Sequence, residues 1–232
     1  MAIAFVREAT SSAKAVTSST VAVAVTAGQQ VILMVGSAVA LSAVTDSQSN
    51  AWAFSPNAVP SGGQNVVNRG YTTASATGTL TVTVTAVAST VLDLDVLVFT
   101  GINLSDTTAY PYAATPSTGS ATPSYANSIN AGDLAIGGIT VAGPIGDTFT
   151  GDPDTTLGAW SAATRAGTTG GSAGSNMTLN TQWKITTGTG TQTYDATLGN
   201  SRNWNDNIAG FAAALVTPVT PGTPVGQFLP FF

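Results

Sequence analysis

The chain has 232 residues, 43% of them hydrophobic and only 7% charged, against about 25% charged in an ordinary soluble domain. Its acidic residues outnumber the basic ones by eleven to six, and Arg7, Lys14, Arg69, Arg165, Lys184 and Arg202 form no run, a balance that disfavours a nucleic-acid partner. The absence of cysteine and histidine excludes disulfides, thiolate metal sites and any Ser-His-Asp or Cys-His catalytic arrangement.

With so little charge, the polar surface has to come from Thr, Ser, Asn, Gln and Gly, which favour strands and turns. The chain begins MAIAFVREATSSAK, where the basic residues follow an apolar patch too short for the core of a signal peptide. Residues 2–6 read as a short strand and residues 20–26 (TVAVAVT) as a strictly alternating one. After an Ala27-Gly28 turn, residues 30–40 form a nearly continuous apolar strand of the kind buried on both faces. The longest apolar run, 31–44, is broken by Gly36, Ser37 and Ser42. It falls short of the ~20 residues that cross a bilayer, so a soluble chain with no membrane partner is predicted. Residues 45–55 read as a polar turn followed by Trp52 and Phe54 on one strand face. Residues 56–63 read as a loop and 66–72 as a strand.

The stretch 79–102 is predicted as a central hairpin. Its first arm sets Leu80, Val82 and Val84 against Thr79, Thr81, Thr83 and Thr85, a period of two that fits a strand and not a helix. The second arm places Leu92, Leu94, Val96 and Val98 on one face. Asp93, Asp95, Leu97 and Phe99 occupy the other, and residues 86–90 serve as the connection. Residues 103–124 read as a long crossing loop with Tyr110 and Tyr112. Strands follow at 125–129, 133–142, 159–165, 176–186, 191–198 and 208–216, separated by a turn-rich stretch at 144–158 and a glycine-rich loop at 166–175. No segment keeps a 3.6-residue period, so helix should be scarce. Composition shifts at Thr217. Residues 217–232 contain four prolines and are predicted to be an extended tail beyond a domain spanning 1–216. In a polyproline-like form these sixteen residues reach about 50 Å, at ~3.1 Å each. Phe228, Leu229, Phe231 and Phe232 at the end are therefore a candidate anchor for a partner.

Candidate chemistry is sparse. Asp93 and Asp95 stand about 7 Å apart on one strand face, a spacing that could suit a glycosidase pair or Ca²⁺. The only glutamate, Glu8, sits far away in sequence, and solvated or interface-facing carboxylates are the better reading. Asp147, Asp152 and Asp154 could ligate Ca²⁺, but they lack EF-hand spacing, and Gly-Asp and Asp-Pro pairs are ordinary turn formers. No metal and no cofactor is expected. Trp204, in the polar run Ser201–Asn207, is the candidate glycan contact among the four tryptophans, whose ordinary role is to fill a core.

Four pieces carry a resemblance. Ala27-Gly28 leads into the apolar strand 31–35. Residues 44–52, VTDSQSNAW, resemble a V-T-D-x-x-G-N-x-W/Y turn, with Ser49 where glycine is usual. The run 96–102 (VLVFTGI) resembles an apolar strand ending in a glycine corner, and Ala131-Gly132-Asp133-Leu134 repeats a strand start. Together, over residues 20–215, these resemble a family of jelly-roll-like antiparallel β-sandwiches that recurs in tailed-phage virion proteins and some bacterial surface proteins. The resemblance implies no catalytic residues. It implies a virion structural role: a capsid decoration or minor capsid protein, a head fibre or a tail-associated subunit. Its partners would be the major capsid protein or other virion subunits, and the low charge suits packing against further copies of itself. The alternative is a carbohydrate-binding or host-adhesion module. An enzyme ranks third.

Overall fold

The computed structural model describes residues 2–55, 66–105 and 115–214. Six strands, β1 (Ala4–Val25), β2 (Gln30–Ser37), β3 (Leu41–Asp46), β4 (Ala53–Ser55), β5 (Val66–Thr73) and β6 (Gly78–Thr100), form one antiparallel sheet. Its order is β1-β6-β2-β5-β4, and β3 pairs with β6 beyond the end of β2. The rest of the chain gives β7 (Thr115–Ser120), β8 (Tyr125–Ile129), β9 (Leu134–Val141), β10 (Phe149–Thr150), β11 (Thr164–Gly167), β12 (Thr178–Ile185), β13 (Gly190–Tyr194), β14 (Thr197–Leu198) and β15 (Arg202–Phe211). The second sheet runs β11-β12-β9-β15-β7, and β8 with β13 and β10 with β14 make two short ladders. The only helical piece among the described residues is a 3-10 turn at Ala173–Ser175, and none is long and apolar enough to cross a membrane. The fold is an all-β antiparallel sandwich.

The predicted hairpin at 79–102 is a single 23-residue strand, β6, paired along its length with the 22-residue β1. Residues 86–90 (AVAST) hold no Gly, Pro or Asn to reverse the chain, so the strand bends instead of turning back. Val87, Ala88 and Ser89 are exposed at that bend, and even-numbered side chains point inward on both sides of it. Leu80, Val82 and Val84 from one half and Leu92, Leu94, Val96 and Val98 from the other join one core with Val21, Val23, Val31, Leu33 and Val35. All of these belong to one sheet, so that sheet must fold over on itself to bury them. On β1 the same bend is absorbed by register shifts between Ala13 and Ser18 and by Ala15 at φ 57°.

A second core lies between the sheets. Ile32, Met34, Leu97 and Phe99 meet Leu134, Ile136, Leu179 and Phe211, and Trp183 stacks on Phe5 at 4.9 Å between ring centres. The layers approach closely because Gly36 and Gly138 carry no side chain. A Cβ at Gly138 would lie 2.6 Å from Met34 Cε, and one at Gly36 2.7 Å from Thr140 Cγ2. A third core, with Ile139, Trp160, Tyr194, Trp204 and Ile208, fills the space between the far face of the second sheet and the short ladders.

Several sequence expectations are corrected here. The strands predicted at 2–6 and 20–26 are the two ends of β1. β7 lies inside the predicted crossing loop, and the strand placed at 159–165 is confined to Thr164–Gly167. The stretch 201–207, read as a polar loop, is largely β15, whose side chains from Trp204 to Phe211 are buried. The predicted tail, 217–232, lies outside the described residues, as do Tyr110 and Tyr112.

Candidate functional site

The residues carrying the family resemblance form real turns. Asp46 Oδ1 accepts from the Gln48 and Asn50 amides at 2.7 and 3.3 Å, and its Oδ2 accepts from Trp52 Nε1 at 2.6 Å. One carboxylate thereby closes the whole VTDSQSNAW turn. Ser49 adopts φ 57°, the left-handed conformation in which glycine carries no steric penalty. Gly28, Gly101 and Gly132 likewise have positive φ at the three corners.

Asp93 and Asp95 are not solvated. Both are buried, on the face of β6 that meets the second sheet. The β1–β6 register sets Glu8 opposite Leu97, Thr10 opposite Asp95 and Ser12 opposite Asp93, so the only glutamate arrives beside Asp95. Thr181 Oγ1, on β12, donates to Asp95 Oδ2, and Thr164 Oγ1, on β11, donates to Glu8 Oε2 at 2.6 Å. Burial raises the Asp93 carboxyl to about 8, partly offset by Ser12. Burial, then the charge of Glu8 and a hydrogen bond shared with it, raise Asp95 well above the usual carboxylate range, and Thr181 acts the other way. A sugar has no route to carboxyls that are 0% and 1% exposed, so this cluster joins layers and does not face a substrate. The signal for Glu8 was the polar alternation Glu8, Thr10, Ser12, which matches that of Asp93 and Asp95.

The aspartates of 144–158 are committed to the fold. Asp147 Oδ2 is 2.6 Å from Arg202 Nη2 and accepts from Arg202 Nε at 2.8 Å. Asp152, also buried, accepts from the Asp154 and Asp195 amides at 2.7 and 3.1 Å, and Asp154 accepts from the Thr156 amide at 2.8 Å. That last bond and the Thr156 hydroxyl hold the Asp154 carboxyl below its usual value. Below them Lys184, 1% exposed, donates to the Thr156 carbonyl at 3.2 Å and lies 4.5 Å over the Trp160 ring. Its pKa is lowered by burial, against the pull of Asp154 and Asp152. Asp206 and Tyr194, both fully buried, are raised mainly by burial. Among the described residues, no three acidic groups are arranged to hold a metal ion.

Trp204 is 5% exposed within the third core, which corrects its assignment as a glycan contact. Its neighbours Asn205, Asp206 and Asn207 look like a loop in composition but are buried in β15, where Asn205 Oδ1 accepts from the Val67 amide at 3.1 Å. None of the four tryptophans is exposed. The anchor residues Phe228, Leu229, Phe231 and Phe232 lie outside the described residues.

What the fold does present is a surface. On the outer side of the folded sheet, Ser18, Thr20, Ala22 and Ala24 of β1 pair with Thr85, Thr83, Thr81 and Thr79 of β6. Ala43 and Thr45 of β3 lie against Thr85 and Thr83 on the other side. These ten residues are all small and uncharged, and Thr20, Ala22, Ala24 and Thr45 are exposed. No protein-family model, curated protein or solved structure matches the chain.

Proposed function

We propose that this chain is a structural subunit that works through protein–protein contacts, and that its setting is the virion of a tailed phage, as a capsid decoration or minor capsid protein. The observation that carries the reading is the outer face of β1, β6 and β3, a three-strand threonine, serine and alanine surface without a charge. Such a face can be covered by another protein without stranding a buried ion, which would cost several kcal/mol per charge. The VTDSQSNAW turn and the glycine corners support the phage setting by resemblance. The C-terminal Phe228, Leu229, Phe231 and Phe232 add a second attachment point. Four such side chains can contribute roughly 6–12 kcal/mol on burial, less the ordering of their backbone. Major capsid protein or other virion subunits would be the partners.

Mass spectrometry of purified particles from the source culture tests this. A structural subunit is recovered at tens of copies or more per particle. A chain found only in the soluble fraction overturns the virion setting.

A further inference from the structure

β1 is the end strand of its sheet, and it is long. Of the other described strands, only β6 and β11 run close beside it. β11 guards the first half, where Thr164 holds Glu8 and Lys14 donates to the Gly170 carbonyl at 3.0 Å. The register shifts at Ala13, Val16 and Ser18 disrupt the middle. From Ser18 to Val25 the pairing with β6 is regular, and among the described residues no strand lies on the other side. An end strand leaves alternate N–H and C=O groups pointing outward, and proteins usually blunt such edges with Lys, Pro, bulges or short length. Residues 15–28, AVTSSTVAVAVTAG, contain neither a charge nor a proline, and half of residues 18–25 are β-branched.

We propose that the edge of β1 over residues 18–25 is a self-association surface, on which a second copy of the chain lays the same edge antiparallel and joins the two folded sheets across a two-fold axis. Two features identify the occupant as another copy. The edge has no charge with which to select an acidic or basic peptide, so what it accepts is a neutral alternating strand, and residues 18–25 are one. Antiparallel pairing about a two-fold is also self-complementary, because each residue that meets a position on its mate is met by the same pairing in return. Strand parity then sets Val21, Val23 and Val25 of both copies on the buried side, and Thr20, Ala22 and Ala24 of both on the outer side. The chain's own last sixteen residues are poor competitors, since prolines 218, 221, 224 and 230 have no N–H to donate. The pairing is a property of the purified chain, so its test is separate from the particle experiment.

The absence of cysteine makes that test clean. Sedimentation of the full chain at micromolar concentration should give twice the monomer mass. Thr20→Cys, Ala22→Cys and Ala24→Cys should include at least one variant that forms a disulfide-linked dimer on mild oxidation. Thr81→Cys, one strand further in, should not cross-link, because strands ~4.8 Å apart put it about 14 Å from its mate and a disulfide spans no more than ~7 Å between Cα atoms. Ala22→Lys with Ala24→Lys should return the protein to monomer mass with its circular dichroism unchanged, and Thr81→Lys should leave the dimer intact. A wild-type monomer, a dimer indifferent to the lysines at Ala22 and Ala24, or cross-linking confined to Thr81→Cys would each overturn the proposal.

Discussion

The β1–β6 register brings the carboxyl of Glu8 beside that of Asp95, although the residues lie at opposite ends of the first half of the chain. Burial, then the charge of Glu8, raises Asp95 well above the usual carboxylate range, and burial pushes Asp93 beside it to about 8.

The sign of the resulting pH dependence is the reverse of ordinary acid denaturation. Both groups have folded pKa values above the unfolded value of about 3.9. The native state therefore binds more protons than the unfolded chain, and stability is highest below about pH 4 and falls as pH rises toward 8. Urea midpoints at pH 5, 7 and 9 should decrease in that order. Asp93→Asn with Asp95→Asn should weaken the trend, leaving the part carried by the buried Asp206. A midpoint that rises from pH 5 to 9 would show that the acids are ionised and satisfied in the fold.

Ser49 is a cheaper target. A non-glycine residue in the left-handed region costs about 1 kcal/mol, so Ser49→Gly should stabilise the protein by up to that amount, less the entropy glycine gains in the unfolded chain. Chemical denaturation would register it. A loss of stability would mean that the serine hydroxyl is worth more than the backbone strain it accompanies.

Val82→Asp and Thr81→Asp should separate the two faces of β6. Val82 is fully buried in the core of the folded sheet, and an unpaired charge there should prevent folding. Thr81 lies on the outer face, where the same change should stay within about 1 kcal/mol. Expression, solubility and melting of the two proteins decide the matter, and equal damage would place both faces inside.

EDTA should leave the melting temperature unchanged. Asp152 and Asp154 already accept backbone amides, and Asp147 is paired with Arg202. A fall of several degrees, reversed by added Ca²⁺, would reveal a site that these hydrogen bonds do not preclude.

Deleting residues 227–232 should leave the sandwich folded with a similar melting temperature and abolish particle binding. Unimpaired binding would remove the tail from the attachment, whereas early melting would assign it to the protein's own core.

The sequence by itself determined the strand class, because a period of two depends only on neighbours along the chain. It also located the corners, since Gly28, Gly101 and Gly132 take backbone angles open to few other residues. Tertiary structure decided which strands were one strand and which polar residues were inside. The lack of Gly, Pro or Asn at 86–90 speaks against a tight turn, but only β1, running beside both halves, makes β6 one strand with a bend at Val87–Ser89. Trp204 and Asp206 sit in a run as polar as any loop, and Asp93 and Asp95 alternate like a solvated face. Each is buried because a second layer covers it, and whether a layer does so depends on contacts between residues far apart in sequence.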